Sequence, residues 1–334
     1  MTRHIHLTQG LMTYQAFDAV RPKGVITSYH NVQERFMTML NGSSEQMTNE
    51  PGGSLGDCAL CGEKNVILKE SHSIPKFAYD WVKKTSPTKY IRYSLDVNVR
   101  RQDGPKEYLL CGGCEGRLSI VEKALAENVF RKVANYRKQS SKITITEDVR
   151  LAVLSIFWRA LLTTKDDEGE WTNEDIVKVD EFLEQSRQSI LNNRCEVTIY
   201  FAPLYGEPPF FGLPKKYTYN LDRAIGEQDI KFTDDPHRYI AAFKLPFMYF
   251  YILSEGWPRD EYSKALKLDV GELDISNISD VPDILREYIE LQHYYFLQTK
   301  AELDETNKRQ ISRDAGKPRS VLTGADKSLL RSDQ

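Results

Sequence analysis

Four of the five cysteines fall into two Cys-x-x-Cys pairs, Cys58 with Cys61 and Cys111 with Cys114, and Glu70-Ser71-His72-Ser73-Ile74-Pro75 lies between them. Two residues between thiols is the spacing of a knuckle, in which a tight turn aims both sulfurs at one ion. Two knuckles together supply the four sulfurs of a tetrahedral zinc site. The bland alternative, four unrelated buried or reactive thiols, fits poorly with five cysteines in 334 residues falling into two such pairs. Each pair is followed by a residue, Gly62 or Glu115, that suits a turn or a helix start. The fifth cysteine, Cys195, stands alone and reads as a small buried hydrophobe.

The elements around the pairs decide whether they can meet. After the first pair, Asn65 to Lys69 reads as a short strand leading to His72, and Pro75 opens a helix through Phe77, Trp81 and Val82, a favoured place for proline. Tyr90 to Val99 and Glu107 to Leu110, parted by Gln102-Asp103-Gly104-Pro105, predict a hairpin that delivers Cys111. The second pair then opens a long helix whose apolar residues, Leu118, Val121, Leu125, Val129, Phe130 and Val133, recur at the spacing of one buried face. Glu147 to Thr163 is apolar on several sides and belongs inside the core. Thr172-Asn173-Glu174-Asp175 supplies a cap and an acidic first turn for a helix that ends near Asn192. From Cys195 to Leu253 short β-branched and aromatic runs broken by Gly and Pro predict an antiparallel sheet, with the aromatics of Tyr239 to Leu253 in the core. Asp280 to Leu303 returns to helix.

Fold class is therefore expected to be α+β, mainly helical: a treble-clef zinc module plus a helical scaffold carrying a small antiparallel sheet. Four regions are expected. Residues 1–55, ending in two breaker clusters, read as a flexible arm; 56–140 as the zinc module; 141–304 as a mixed domain; and 305–334, charged and without aromatics, as a disordered tail.

Composition bounds the function. A mean hydropathy of -0.51 and 28% charged residues describe a soluble chain. No apolar run is long enough to span a bilayer, so no membrane partner is expected. The N-terminus carries no basic stretch followed by an apolar core and a cleavage site, so a cytoplasmic location is the expectation, and there paired thiols favour metal over disulfides. Net charge is -3, but residues 58–140 hold sixteen Lys and Arg against nine Asp and Glu, hence +7, and the rest of the chain carries -10. Such a basic segment suits nucleic acid, with Lys76, Lys83, Lys84, Arg100, Arg101 and Arg117 as the candidate contacts. Phosphate loop, dinucleotide fingerprint and nucleophile elbow are all missing from the sequence.

Knuckle, strand, hairpin and a second knuckle at a helix start is the order of elements in a treble-clef finger. Cys58-x-x-Cys61-Gly62, then Ser71-His72-Ser73-Ile74-Pro75, then Leu109-Leu110-Cys111-x-x-Cys114-Glu115 resembles the zinc-containing branch of the HNH endonucleases, the ββα-metal nucleases, over about sixty residues. The resemblance implies a structural Zn²⁺ on Cys58, Cys61, Cys111 and Cys114. It also implies phosphodiester hydrolysis with His72 as general base and a second, catalytic divalent ion such as Mg²⁺, on nucleic acid, DNA ahead of RNA. Three departures stand beside it. Glu115 occupies the place of the family's usual histidine ligand, no asparagine precedes the second pair in Lys106 to Leu110, and Pro75 to Ser86 is an insert. Glu is a competent Mg²⁺ ligand, which makes His72 and Glu115 the catalytic candidates. The alternative is a non-catalytic zinc treble clef that binds nucleic acid or a protein partner. There, His72 caps a helix or fills a core site, and Glu115 opposes the helix dipole.

Overall fold

The computed structural model describes residues 20–21, 53–164, 171–233, 238–317 and 320–332. The fold is α+β, and every sheet is small and antiparallel. Strands β1 (Val20–Arg21), β2 (Ser54–Gly56), β3 (Val66–His72), β4 (Ile91–Tyr93), β5 (Asp96–Arg101) and β6 (Lys106–Cys111) precede or belong to the cysteine module, with helix α1 (Lys76–Lys84) between β3 and β4. Helix α2 (Gly112–Leu125) leaves the second knuckle and runs on through a π-turn over Ala126–Phe130 and a last turn, Arg131–Val133. Strand β7 (Lys142–Ile145), helices α3 (Glu147–Thr164) and α4 (Asn173–Leu191) and strand β8 (Tyr200–Pro203) follow. Helix α5 (Thr218–Arg223), strands β9 (Gly226–Thr233), β10 (Tyr239–Leu245) and β11 (Met248–Leu253), helix α6 (Arg259–Ser263) and strand β12 (Gly271–Asp274) come next. Helices α7 (Asp283–Ala301), α8 (Glu305–Ala315) and α9 (Gly324–Ser332) close the chain.

Helix α3 is the centre. Val149, Leu151, Ala152, Val153, Leu154, Ile156, Phe157, Trp158 and Leu161 are all buried, and a helix apolar all round must lie inside a core. The module helix α2 covers one side, α4 another, and β9 and β10 a third. Even Arg159 is 1% exposed, because its guanidinium donates to Glu122 on α2 at 2.5 Å and to the Ser155 carbonyl. A buried cation persists only when paired and hydrogen-bonded in this way. One continuous hydrophobic cluster runs from Cys58 to Ile289, so the cysteine module and the scaffold share their core.

The larger sheet has the order β1-β9-β10-β11-β8. Every residue of β11, and all of β10 but Tyr239, is buried, Lys244 included, whose ammonium donates to the Leu221 and Ala224 carbonyls. Helix α4 carries the expected cap and acidic first turn, and the structure shows them as a reciprocal capping box of Thr172 and Asp175.

Three expectations change. The predicted hairpin between Tyr90–Val99 and Glu107–Leu110 does not form: β5 turns back on β4 across the two-residue loop Ser94-Leu95, and β6 pairs with β3 instead, Cys111 opposite Leu68. The short loop closes locally, and the four residues from Gln102 to Pro105 release β6 to cross to β3. Secondly, the expected disordered tail over 305–334 contains, among its described residues, the two helices α8 and α9. The Asp304 carboxylate caps α8 by accepting from the Asn307 N–H at 2.6 Å, and Thr323 and Asp326 cap α9 reciprocally. The Ala325 N–H of α9 donates to the Thr85 carbonyl at 3.0 Å, and Ser328 is fully buried. Packing and caps together order a segment whose composition is polar. Thirdly, most of the arm over 1–55 lies outside the described residues, but its end is part of the module, because Ser54–Gly56 pairs with β3. Among the described residues no helix is long and apolar enough to cross a membrane.

Candidate metal centre

The first knuckle follows β2. Its turn is closed by the Gly62 N–H to the Cys58 carbonyl and the Cys58 N–H to the Glu63 carbonyl, both 2.9 Å. Gly62 sits at φ +78°, a left-handed conformation that glycine adopts without a side-chain clash. Arg187 of α4 donates to the Leu60 carbonyl at 2.8 Å, fastening the knuckle to the scaffold. The second knuckle is the junction of β6 and α2, with Cys111 at the helix cap and Cys114 in the first turn.

A shift of register brings the two together. Lys69 pairs with Leu110 but Glu70 pairs with Tyr108, so Leu109 is an extra residue on β6. The Leu109 carbonyl accepts the Ala59 N–H of the first knuckle at 2.9 Å, and the Cys111 N–H donates to Cys58 Sγ at 3.3 Å. All four sulfurs consequently lie within 4.8 Å of one another. Cys58 and Cys114 are buried, Cys111 is half-buried and Cys61 is exposed. This set can hold a metal ion such as zinc, and among the described residues it is the only cluster of its kind.

The acidities fit an ion. Burial pushes the Cys58 thiol up, but N–H donors from Cys111, Cys61 and Leu60 outweigh it and bring the group down to about 7. Burial and the neighbouring sulfurs push Cys114 well up. At Cys61 the Glu63 N–H favours the thiolate, yet burial and the neighbouring thiols win and raise it. Four sulfurs this close cannot all ionise alone, and a dication is the counter-charge that lets them do so. Cys195 plays no part in the cluster: it is buried, and burial pushes its thiol up to about 11.

His72 and Glu115 flank the centre but do not converge. Ser71, opposite Glu107, points inward, and its hydroxyl donates to Glu115 Oε2 at 2.6 Å. Neighbouring side chains of a strand point to opposite faces, so His72, opposite Lys106, turns the other way. Its Nε2 lies 3.0 Å from Asp103 Oδ1. Lys106 Nζ, 3.4 Å from both Asp103 and Glu70, joins the same polar cluster. Burial raises Asp103, but the His72 hydrogen bond and charge, the Gly104 N–H and Lys106 hold its carboxyl below the usual range. Gly104 makes this possible. A Cβ there would fall 2.1 Å from the Tyr79 ring, which packs 6.1 Å from the imidazole.

Of the six candidate nucleic-acid contacts, Lys76, Lys84, Arg100 and Arg117 are exposed. Lys83 is held by Asp80 at 3.1 Å, Arg101 lies 3.7 Å from Asp96, and Arg117 donates to the Leu191 carbonyl at the end of α4. Arg100 reaches over the Tyr90 ring, 5.3 Å from its centre, with Arg92 at 5.2 Å. Asn98 has a structural duty. It donates to the Glu302 carbonyl and accepts the Asp304 N–H at 2.9 Å, tying β5 to the start of α8.

Sequence reasoning passed over Ser71 and Asp103. A serine beside a candidate histidine, and an Asp-Gly turn before the second knuckle, were the available signals. No protein-family model, curated protein or solved structure matches this chain.

Proposed function

We propose that the chain is a zinc-binding treble-clef protein whose metal is structural and whose basic module binds nucleic acid. The gathering of four sulfurs within 4.8 Å at the start of α2 carries this reading. Thiolates in a tetrahedral set suit Zn²⁺, and a closed set with no open position shapes a module rather than performing hydrolysis. The surplus of seven positive charges over residues 58–140 supports a polyanionic partner. Exposed Lys76, Lys84 and Arg100 are the groups that would meet phosphates, and duplex DNA is the first partner to test. Fluorescence anisotropy of labelled duplex DNA with zinc-loaded protein tests it: binding that weakens with salt and disappears when chelator strips the metal supports the proposal, whereas indifference to the metal counts against it.

One observation favours a second reading, that of an HNH-like endonuclease. His72 Nε2 lies 3.0 Å from Asp103 Oδ1 without hydrogen-bond geometry, so the imidazole keeps a nitrogen that could accept a proton from water. A divalent ion such as Mg²⁺ would have to find oxygen ligands other than a His72 and Glu115 pair. Incubation of DNA with Mg²⁺ beside a His72→Ala control decides between the two: cleavage abolished by the variant selects the nuclease.

A further inference from the structure

A cavity of about 370 Å³ opens where the residues after α2, the Gly206 turn after β8 and helix α9 meet, and Asn135, Tyr136, Arg137, Glu207, Lys327 and Arg331 are among the residues lining it. None of the four clustered cysteines belongs to it. Its volume is in the range of small-molecule sites, about 300–1,000 Å³.

The walls are built in advance. Gln139 donates to the carbonyls of Val133 and Leu204 at 2.9 and 2.8 Å and accepts the Gly206 N–H at 2.8 Å, so the turn is pinned to the end of α2. Tyr136 stacks on Trp81 and its hydroxyl meets Ser328 of α9 at 2.6 Å. Arg331 donates to the Gly206 carbonyl at 2.7 Å and lies over the Phe210 and Phe247 rings.

The charges do not balance. Arg331 is met by Asp222 and Glu207, each at 3.4 Å. The side chains of Arg137 and Lys327 have no carboxylate or hydrogen-bond partner among the described residues. Behind Tyr136, buried Arg223 donates only to neutral oxygens, those of Thr85, Tyr136 and Val82. Asn135 spends its amide oxygen on the N–H groups of Arg137 and Lys138, which leaves its NH₂ as a further donor. A lining rich in donors and cations, with a single carboxylate at its rim, calls for an anion with several acceptor oxygens.

We propose that this cavity binds a small phosphate-bearing molecule of mononucleotide size, its phosphate between Arg137 and Lys327 and its less polar part against Leu330. Arg137 belongs to the basic span 58–140, but none of Lys76, Lys84 and Arg100 lines this cavity. Isothermal titration of the full chain with AMP and, separately, with inorganic pyrophosphate tests it. Arg137→Ala with Lys327→Ala removes two side chains that hold no other group and should weaken binding at least about tenfold, since each loses a charge-assisted hydrogen bond to the anion. Lys76→Ala with Lys84→Ala, on the module, should leave it unchanged. The proposal is overturned if neither probe binds the wild type, if the first pair of substitutions leaves affinity intact, or if only the second pair abolishes it. Unaltered melting of the first double variant without probe confirms that a loss of binding is not a loss of fold.

Discussion

Ser71 and Glu115 are joined by a hydrogen bond of 2.6 Å between the end of β3 and the first turn of α2, and this bond commits Glu115 to the inside of the module. The carboxylate also sits at a helix N-terminus, where negative charge is favoured. Glu115→Ala should therefore act on stability: it leaves the Ser71 hydroxyl, 1% exposed as a residue, with only a weak contact to the Lys69 carbonyl at 3.5 Å. A loss of about 1–3 kcal/mol in urea unfolding is expected, with zinc content unchanged and no rescue by added Mg²⁺. Rescue by Mg²⁺ would instead mark Glu115 as an ion ligand.

Metal removal should show the cysteines acting as a unit. Wild-type protein is expected to carry one zinc per chain by elemental analysis, and Cys111→Ser with Cys114→Ser none. Because the sulfurs must shed protons to bind, acidification should release the metal, and a pH titration of bound zinc followed by a chromophoric chelator reads this directly. Zinc retained in the double variant would remove the centre from the account.

Asp222 predicts a pH dependence located far from the cysteines in sequence. It is fully buried, and burial pushes its carboxyl up to about 6, against Arg331, the Ser328 hydroxyl, Lys244 and Arg223, which pull it down. A carboxyl raised in the fold binds its proton more tightly there than in the unfolded chain. Its stabilisation is then present below pH about 4 and is lost as pH rises through about 6. Relative to Asp222→Asn, the wild type should lose up to about 3 kcal/mol between pH 4 and 7, the worth of roughly two pKa units. The Asp222 charge also raises Lys244, which burial brings down to about 7, so the two groups titrate together and the comparison with Asp222→Asn reads their combined dependence. Urea midpoints of the two proteins across that range test the sign. A gap that widens in the other direction would show that Asp222 is held ionised by its cations.

Spacing and periodicity carry information only where one residue type has one use. Two residues between thiols meant a knuckle at both places, and an all-round apolar α3 meant a core helix. Thr172 to Asp175 meant a helix cap and an acidic first turn. What stayed hidden depended on partners remote in the chain. The register shift at Leu109, which aims a carbonyl at Ala59, has no local signature. Whether β6 pairs with β5 or β3 turned on loop lengths alone. The polar composition of Glu305 to Ser332 concealed helices because they are held by contacts with Asn98, Asp222, Thr85 and Tyr136, all more than a hundred residues earlier. The opposition of His72 and Glu115 is a matter of strand phase, set by Ser71 taking the carboxylate on the inner face of β3.

Nucleic-acid affinity, if it resides in the module, should divide its cations into two groups. Lys83 and Arg101 already neutralise Asp80 and Asp96, so replacing either frees a carboxylate as well as removing a cation. Lys76, Lys84 and Arg100 are exposed, and each can replace a condensed counterion on a phosphate. The slope of log affinity against log salt should therefore shrink by roughly 0.9 for each of these three changed to alanine, the increment for one phosphate contact on a duplex. Lys83→Ala and Arg101→Ala should weaken binding at low salt through the released Asp80 and Asp96 charges. Their affinity should recover towards wild type as salt screens that repulsion. Anisotropy titrations of duplex DNA at four or five salt concentrations separate the two patterns. Equal slopes in wild type and in the Lys76, Lys84 and Arg100 variants would place the nucleic-acid surface elsewhere on the chain.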